Sequence, residues 1–276
     1  MNKRALPKRI RLFVSDVDGT IVTPSPEKRV TEATIAAVDK LRAAGGFFSI
    51  VSSRPPRGML HVAEPLKLDL FAGFNGSSIV RGDLSPVERH FVPEAAARIA
   101  AAEIAATGAD VWIFSGNDWY VTDRDGPYVA HEEHTVSFDP VVVPSFEGHF
   151  GEIGKLVGSS KDFDRLAETE GKLQALLGDT ASARRSQNYY LDVTHPTADK
   201  GHAVTALARH FGVPLEEVAV IGDMSNDLPM FAVAGLAIAM GNAHDDIKAE
   251  ADLVTRSNAE DGVAHAIETM ILPLMG

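Results

Sequence analysis

The sequence predicts an α/β protein: a doubly wound, parallel-sheet, Rossmann-like core with an inserted α+β domain. Both ends of the chain alternate short apolar strands with amphipathic helices, the order that builds parallel βαβ units. Three of those strands run out into polar or acidic residues, and ligands gather outside the carboxyl ends of strands in such sheets. The middle instead mixes long helices with hairpin-like pairs, the pattern of an α+β domain. The expected boundaries are 1–82 and 194–276 for the core, and 83–193 for the insertion.

Taken in order, Ile10–Ser15 reads as a buried strand that stops at the polar turn Asp16-Val17-Asp18-Gly19-Thr20. Thr31–Ala44 carries Ile35, Val38 and Leu41 at helical spacing, with Thr31 as N-cap and Gly45-Gly46 as the stop. Phe47–Val51 is a second strand, ending in Ser52-Ser53. In the middle, Pro93–Thr107 and Asp162–Leu177 are helices, Val111–Phe114 and Trp119–Thr122 flank the turn Ser115–Asp118, and Glu152–Val157 and Tyr189–Val193 are strands. The last third has a helix over Lys200–Phe211 closed by Gly212, then a strand over Val218–Ile221 and a strand over Leu236–Met240. Two helices close the chain, near His244–Ala251 and Glu260–Ile271.

Composition narrows the function. The 276 residues are 45% hydrophobic and 23% charged, which excludes disordered and low-complexity chains. Net charge is −12, and the basic residues Lys3, Arg4, Lys8, Arg9 and Arg11 precede the first acid, so the remainder carries five units more, −17. So acidic a body is a poor match for nucleic acid or an anionic membrane, while a local cation or bound metal still admits a small anion. Cysteine is absent, which removes disulfides, thiolate metal sites and cysteine nucleophiles and agrees with a cytoplasmic location. The uncharged stretch Leu228–Gly241 is too short to span a bilayer and contains Pro229 and Gly235. No secretion signal core follows the basic opening.

The chemistry concentrates in the acids. Asp16 and Asp18 stand two apart at one strand end, and Asp223 and Asp227 four apart at another. Turn formation accounts for either pair alone. Brought together, the carboxylates would repel, and a hard divalent cation such as Mg²⁺ relieves that repulsion with oxygen ligands.

Asp16-Val17-Asp18-Gly19-Thr20 resembles the first motif of phosphatases of the haloacid dehalogenase (HAD) superfamily, and Gly222-Asp223-Met224-Ser225-Asn226-Asp227 resembles their fourth. Leu228-Pro229-Met230, Ala239-Met240-Gly241-Asn242-Ala243, Phe74-Asn75-Gly76 and Asp199-Lys200-Gly201 are similar to the Cof-type subfamily (subfamily IIB). The resemblance runs over almost the whole chain and is loose in the middle domain. It implies Asp16 as a nucleophile that forms an aspartyl-phosphate, Asp18 as general acid and base, and Lys200 as the cation serving phosphate and nucleophile. It further implies Ser52, Ser53, Arg54, Asn75 and Asn226 at the phosphate or substrate. Mg²⁺ would be held by Asp16, Asp18 (through its carbonyl), Asp223 and Asp227, the last directly or through metal waters.

One position departs from the family, which usually shows Thr-Gly-Arg where this chain has Ser52-Ser53-Arg54. Ser52 keeps the hydroxyl, whereas Ser53 adds a β-carbon where glycine lets the backbone approach phosphate. Ser52 to Lys200 spans 148 positions, far beyond one crossover, so the insertion lies there, where the family carries a cap that closes over the site and selects substrate.

Other signals are weaker. His131-Glu132-Glu133-His134 lacks the spacing of a zinc helix. Trp112, Trp119 and Tyr120 read first as core or interface packing. Gly154-Lys155-Leu156 lacks the rest of a phosphate loop, and Asn75-Gly76-Ser77 lies in the family's Asn-Gly turn rather than in a glycosylated loop. Arg54 and Arg57 read equally as substrate contacts near the entrance and as surface ion pairs. The resulting expectation is a Mg²⁺-dependent phosphomonoester hydrolase, monomeric or homodimeric, acting on small phosphate esters such as sugar phosphates or phosphorylated cofactors. Phosphomutase-type transfer and a regulatory phosphate-binding protein are the alternatives.

Overall fold

The computed structural model describes residues 6–276; Lys3 and Arg4 of the basic opening lie outside the described residues. The chain divides into two compact units, one comprising residues through Ser53, Leu60–Val87 and Asp199–Gly276, the other Arg54–Met59 and Glu88–Ala198. The sequence places the divide close by, at 82/83 and 193/194, without the short excursion that gives Arg54–Met59 to the second unit.

The first unit is built on a five-stranded parallel sheet. Its spatial order is Leu253–Val254, Leu236–Ala239, Val218–Gly222, Leu12–Ser15, Phe47–Ile50. The four longer strands are buried throughout apart from half-buried Phe47, which explains their near-continuous apolar runs. One face carries Leu12, Val14, Val218, Val220, Ala237 and Ala239, packed with Val204, Leu207, Met230 and Phe231 from the helices Lys200–Phe211 and Leu228–Val233. Alternation turns Phe13 and Phe48 to the other face, where their rings meet edge to face at 5.8 Å.

Helix boundaries follow local chemistry. Thr31 caps Glu32–Ala43 by accepting from the Thr34 N–H at 3.2 Å. Asp199 caps Lys200–Phe211 by accepting from the N–H groups of Gly201 and His202, and Gly212 ends it in the left-handed region at φ 64°. The expected helix Glu260–Ile271 is corrected. Asn258–Glu260 is a single 3₁₀ turn, Asp261 turns left-handed at φ 54°, and a helix runs over Gly262–Ala266 into a wider turn at Ile267–Ile271. A three-stranded sheet, Leu70–Gly73, Ser78–Arg81 and Pro86–Arg89, is unanticipated by the sequence. It adjoins the second core strand through the parallel bridge Val51↔Ala72.

The second unit carries a six-stranded sheet ordered Ser182–Gln187, Tyr190–Thr194, Ile153–Ser159, Asp110–Ser115, Asp118–Val121, Val141–Val142. All its pairings are antiparallel except the last. Val111, Ile113, Leu156, Leu191 and Val193 line one face beneath the helices Glu94–Ala105 and Phe163–Leu177. This is the expected α+β domain, with one helix the sequence reading lacks, Val129–Val136.

Candidate active site

Strand register assembles the acids. Leu12–Ser15 lies between the other two site-bearing strands, with Ser15 opposite Ile50 on one side and Ile221 on the other. Asp16 donates its N–H to the Ile221 carbonyl at 2.9 Å, and the Val51 N–H donates to the Ser15 carbonyl. Three strand ends therefore open together, one bearing Asp16, one Ser52 and one Asp223.

At the centre the buried Lys200 ammonium donates to Asp16 Oδ1 and to Asp227 Oδ1, each at 2.5 Å. Asp227, fully buried, uses its other oxygen to accept from the N–H groups of Asp223 and Met224, at 2.8 and 2.9 Å. It thereby fixes both the cation and the turn that presents Asp223. Glycine at 222 is required for this packing, since a β-carbon there would stand 2.4 Å from the Asp227 carboxyl carbon. Gly19 has φ 77°, and its β-carbon would fall 2.3 Å from Asp223 Oδ2.

The electrostatics follow from three carboxylates around one ammonium. Burial, reinforced by Asp227 and Asp223 and opposed by Lys200, pushes the Asp16 carboxyl up to about 8. Asp223 rises to about 6, again through burial, with the Thr20 hydroxyl bond opposing the shift. Burial alone would lower Lys200, but the Asp16 and Asp227 carboxylates outweigh it and hold the ammonium protonated. Oxygens of Asp16, Asp223 and Asp227 all lie within 4.8 Å of one another. An all-oxygen anionic set with excess negative charge fits a hard divalent cation such as Mg²⁺.

The other expected residues fall into distinct places. Asp18 Oδ1 accepts from Lys28 Nζ at 3.3 Å, beside the cluster rather than within it. Ser52 is buried at the end of its strand, and its carbonyl accepts the Asn75 N–H at 2.8 Å. Asn75 is left-handed at φ 54°, and its buried Oδ1 has no hydrogen-bond partner. Ser53 is half-buried and Asn226 is exposed on the 3₁₀ turn Ser225–Asp227. Arg54 belongs to the second unit, where Nη1 donates to the Thr135 carbonyl at 2.8 Å. Arg57 pairs with Asp118 at 3.0 Å, as a surface ion pair would.

The sequence model of the haloacid dehalogenase-like hydrolase family matches residues 13–267. The chain is a haloacid dehalogenase-like hydrolase. This hydrolase is 30% identical over 260 residues to a Haemophilus influenzae protein whose given name is that of a phosphatase, covering 92% of this chain and 95% of that one. It is 27% identical over 289 residues to the Bacillus subtilis 5-amino-6-(5-phospho-D-ribitylamino)uracil phosphatase YwtE, covering 95% and 98%. A haloacid dehalogenase-like hydrolase of Bacteroides thetaiotaomicron superposes with TM-score 0.87 at 26% identity, over 94% of this chain and 99% of that one. The HAD subclass IIB sugar phosphatase BT4131 superposes with TM-score 0.79 at 25% identity, over 94% and 98%. The hydrolase is thus a Cof-type phosphatase. Among its described residues no helix is long and apolar enough to cross a membrane.

Three residues that contact the candidate site escaped the sequence reading. The Thr20 hydroxyl donates to Asp223 Oδ1 at 2.9 Å, and Asn242 Nδ2 donates to the Gly19 carbonyl at 2.8 Å. Both lie in quoted motifs, which gave them no role. Lys28, facing Asp18, carried no signal at all.

Proposed function

We propose that this phosphatase hydrolyses small phosphate monoesters, among them sugar phosphates and phosphorylated cofactors, through an aspartyl-phosphate on Asp16, with Mg²⁺ as cofactor. A buried, permanently protonated Lys200 held against Asp16 Oδ1 is the observation that carries this reading. It fixes the orientation of the carboxylate and supplies positive charge where phosphoryl negative charge must be accommodated.

In the first step an Asp16 oxygen bonds to phosphorus as the ester oxygen leaves, taking a proton from the Asp18 carboxyl. In the second, Asp18 accepts a proton from water as the water oxygen attacks phosphorus, releasing phosphate and restoring Asp16. Bound Mg²⁺, held by Asp16, Asp223 and the Asp18 carbonyl, would neutralise phosphate charge. Both Asp227 oxygens already carry hydrogen bonds, which favours Asp227 as the residue that orients Lys200 and Asp223 over direct ligation. The Ser52 hydroxyl would donate to a phosphate oxygen, and the unpartnered Asn75 Oδ1, an acceptor, would take a hydrogen bond from a substrate hydroxyl. Residues 88–198 would serve as the cap that selects the leaving group. The absence of cysteine suits action in the cytoplasm.

The test measures phosphate release from a panel of phosphomonoesters with Mg²⁺, with EDTA, and with Asp16→Asn. Turnover should require Mg²⁺ and vanish in the variant. Release that persists in Asp16→Asn would exclude the aspartyl-phosphate, and an isomerised sugar in place of free phosphate would mark a mutase.

A further inference from the structure

Two lysines approach the acids of the first unit, and they are placed differently. The Lys200 side chain is 2% exposed and divides its ammonium between Asp16 and Asp227. Lys28 meets Asp18, Nζ to Oδ1 at 3.3 Å, with 29% of its own side chain and 41% of the Asp18 side chain exposed. An ammonium has three N–H donors, and among the described residues Asp18 is the one partner of this one. Two donors therefore remain for a ligand. So exposed a pair adds little to stability, and stability alone does not account for the lysine.

The backbone holds Lys28 at this place. Its φ is 44°, in the left-handed region that a long side chain rarely occupies. The loop that carries it is closed at the neck: the Thr23 N–H donates to the Arg29 carbonyl at 2.9 Å, and the Arg29 N–H to the Thr23 hydroxyl at 3.2 Å. Buried Val22 and Val30 fix the two ends, and the Val22 carbonyl accepts from Asn258 Nδ2 at 3.0 Å. Left-handed backbone at a residue other than glycine is costly and clusters at ligand-binding sites.

The place of Asp18 decides which part of a substrate Lys28 meets. A general acid must come within hydrogen-bond reach of the ester oxygen that leaves. An ammonium bonded to that carboxyl then lies no more than about 9 Å from the leaving oxygen, a few bonds along the alcohol. Asp16 attacks from the opposite side, in line, so Lys200 and Lys28 serve opposite ends of the reaction. Lys200 answers charge on the transferred phosphoryl group, and Lys28 is left to the group that departs. Toward a hydroxyl there it offers an ordinary hydrogen bond; toward an anion, a charge-assisted one about twice as strong.

We infer that Lys28 selects phosphate esters whose departing alcohol carries its own negative charge, a carboxylate or a second phosphate. Lys28 takes this role on the reading that Asp18 is the general acid. The contact comes from the first unit alone.

The test compares esters in pairs that differ in that charge: 3-phosphoglycerate with glycerol 3-phosphate, and fructose 1,6-bisphosphate with fructose 6-phosphate. For each pair kcat/KM is measured in the full-length wild type, Lys28→Gln, Lys28→Arg and Lys28→Glu. Calorimetry with Mg²⁺ gives Kd for the same esters in Asp16→Asn, with and without Lys28→Gln. The wild type should favour the charged member of at least one pair. Lys28→Gln should cut that preference about tenfold or more, chiefly through KM, as loss of a charged hydrogen-bond partner does. Lys28→Arg should keep most of the preference, and Lys28→Glu should reverse it. The Kd ratio in Asp16→Asn should shift with Lys28→Gln by a similar factor. A ratio within a pair cancels any loss that both members share through Asp18 or through folding. A response confined to 3-phosphoglycerate identifies a carboxylate as the recognised group; one confined to the bisphosphate identifies a second phosphate. An equal fall for both members in Lys28→Gln, or no preference in the wild type, overturns the inference and leaves catalysis by Asp16 untouched. Phosphate release that persists in Asp16→Asn counts against the aspartyl-phosphate instead, and the kcat/KM ratios still judge Lys28. With no turnover of any ester, the Kd ratios judge it.

Discussion

Asn242 reaches back across the sheet to donate from Nδ2 to the carbonyl of Gly19, at 2.8 Å. The same amide lies 3.5 Å from Asp223 Oδ2, while its Oδ1 accepts the Asn258 N–H at 3.0 Å. One side chain thus ties the turn that follows Asp16 to the carboxylate at the next strand end.

From this link, Asn242→Ala should loosen the metal site without removing any acid. Groups that orient metal ligands typically contribute 10- to 100-fold in affinity, so the Mg²⁺ concentration for half-maximal activity should rise by roughly tenfold or more. Turnover at saturating Mg²⁺ should recover to within a few-fold of wild type. A Mg²⁺ titration of phosphate release reads both quantities, and an unshifted midpoint would show that the amide does not support Asp223.

Lys200 is the least replaceable residue of the cluster. Lys200→Met keeps the stem and removes the ammonium, leaving Asp16 and Asp227 buried against each other. Breaking a buried ion pair from one side costs about 3–5 kcal/mol, visible as a lower urea midpoint in metal-free protein. Turnover should fall by about a hundredfold or more as the fixed positive charge is lost. Lys200→Arg should not rescue it, because a planar guanidinium cannot occupy a fully buried pocket shaped to a compact ammonium. Retention of more than about a tenth of wild-type turnover in Lys200→Met would remove the lysine from the chemistry.

Much of this was legible because it is written locally. Thr31, Asp199 and Gly212 mark helix ends with caps that act within three residues, and the core strands are short apolar runs. Helix Val129–Val136 escaped because its boundaries are Tyr128 and Ser137, left-handed residues with no glycine or capping side chain to announce them. At the other end, Ser257 and Glu260 form a genuine capping box, yet it caps a single 3₁₀ turn. The Asp261 carboxylate then accepts from Thr31 Oγ1 at 2.6 Å, a partner 230 residues away, and the left-handed backbone there delays the helix to Gly262. The acids of the candidate site stood out through their places at strand ends and their resemblance to the family's motifs, whereas the Asn242–Gly19 bond joins residues 223 positions apart and exists only once the sheet is assembled.

The excess of buried carboxylates makes a prediction about pH. In metal-free protein Asp16 is raised from 3.8 to about 8 and Asp223 from 3.8 to about 6, both chiefly by burial. A raised carboxyl pKa means that the folded protein binds more protons than the unfolded chain between the two values. Stability is therefore greatest near pH 4 with respect to these groups and declines as pH rises, through 6 for Asp223 and through 8 for Asp16. Lys200 does not oppose this trend, since it stays protonated in both states across that range. Metal-free protein should accordingly lose Tm between pH 5 and pH 8. Mg²⁺ binds the ionised carboxylates and competes with the protons, so it should raise Tm most at pH 8 and least at pH 5. At a Mg²⁺ concentration about 100 times its Kd the gain is about 2.7 kcal/mol. Thermal melts at pH 5, 6.5 and 8, with and without Mg²⁺, read the slope directly, and Asp16→Asn should flatten most of it. A metal-free Tm that climbs from pH 5 to pH 8 would mean that ionised Asp16 is already balanced by Lys200 without a divalent cation.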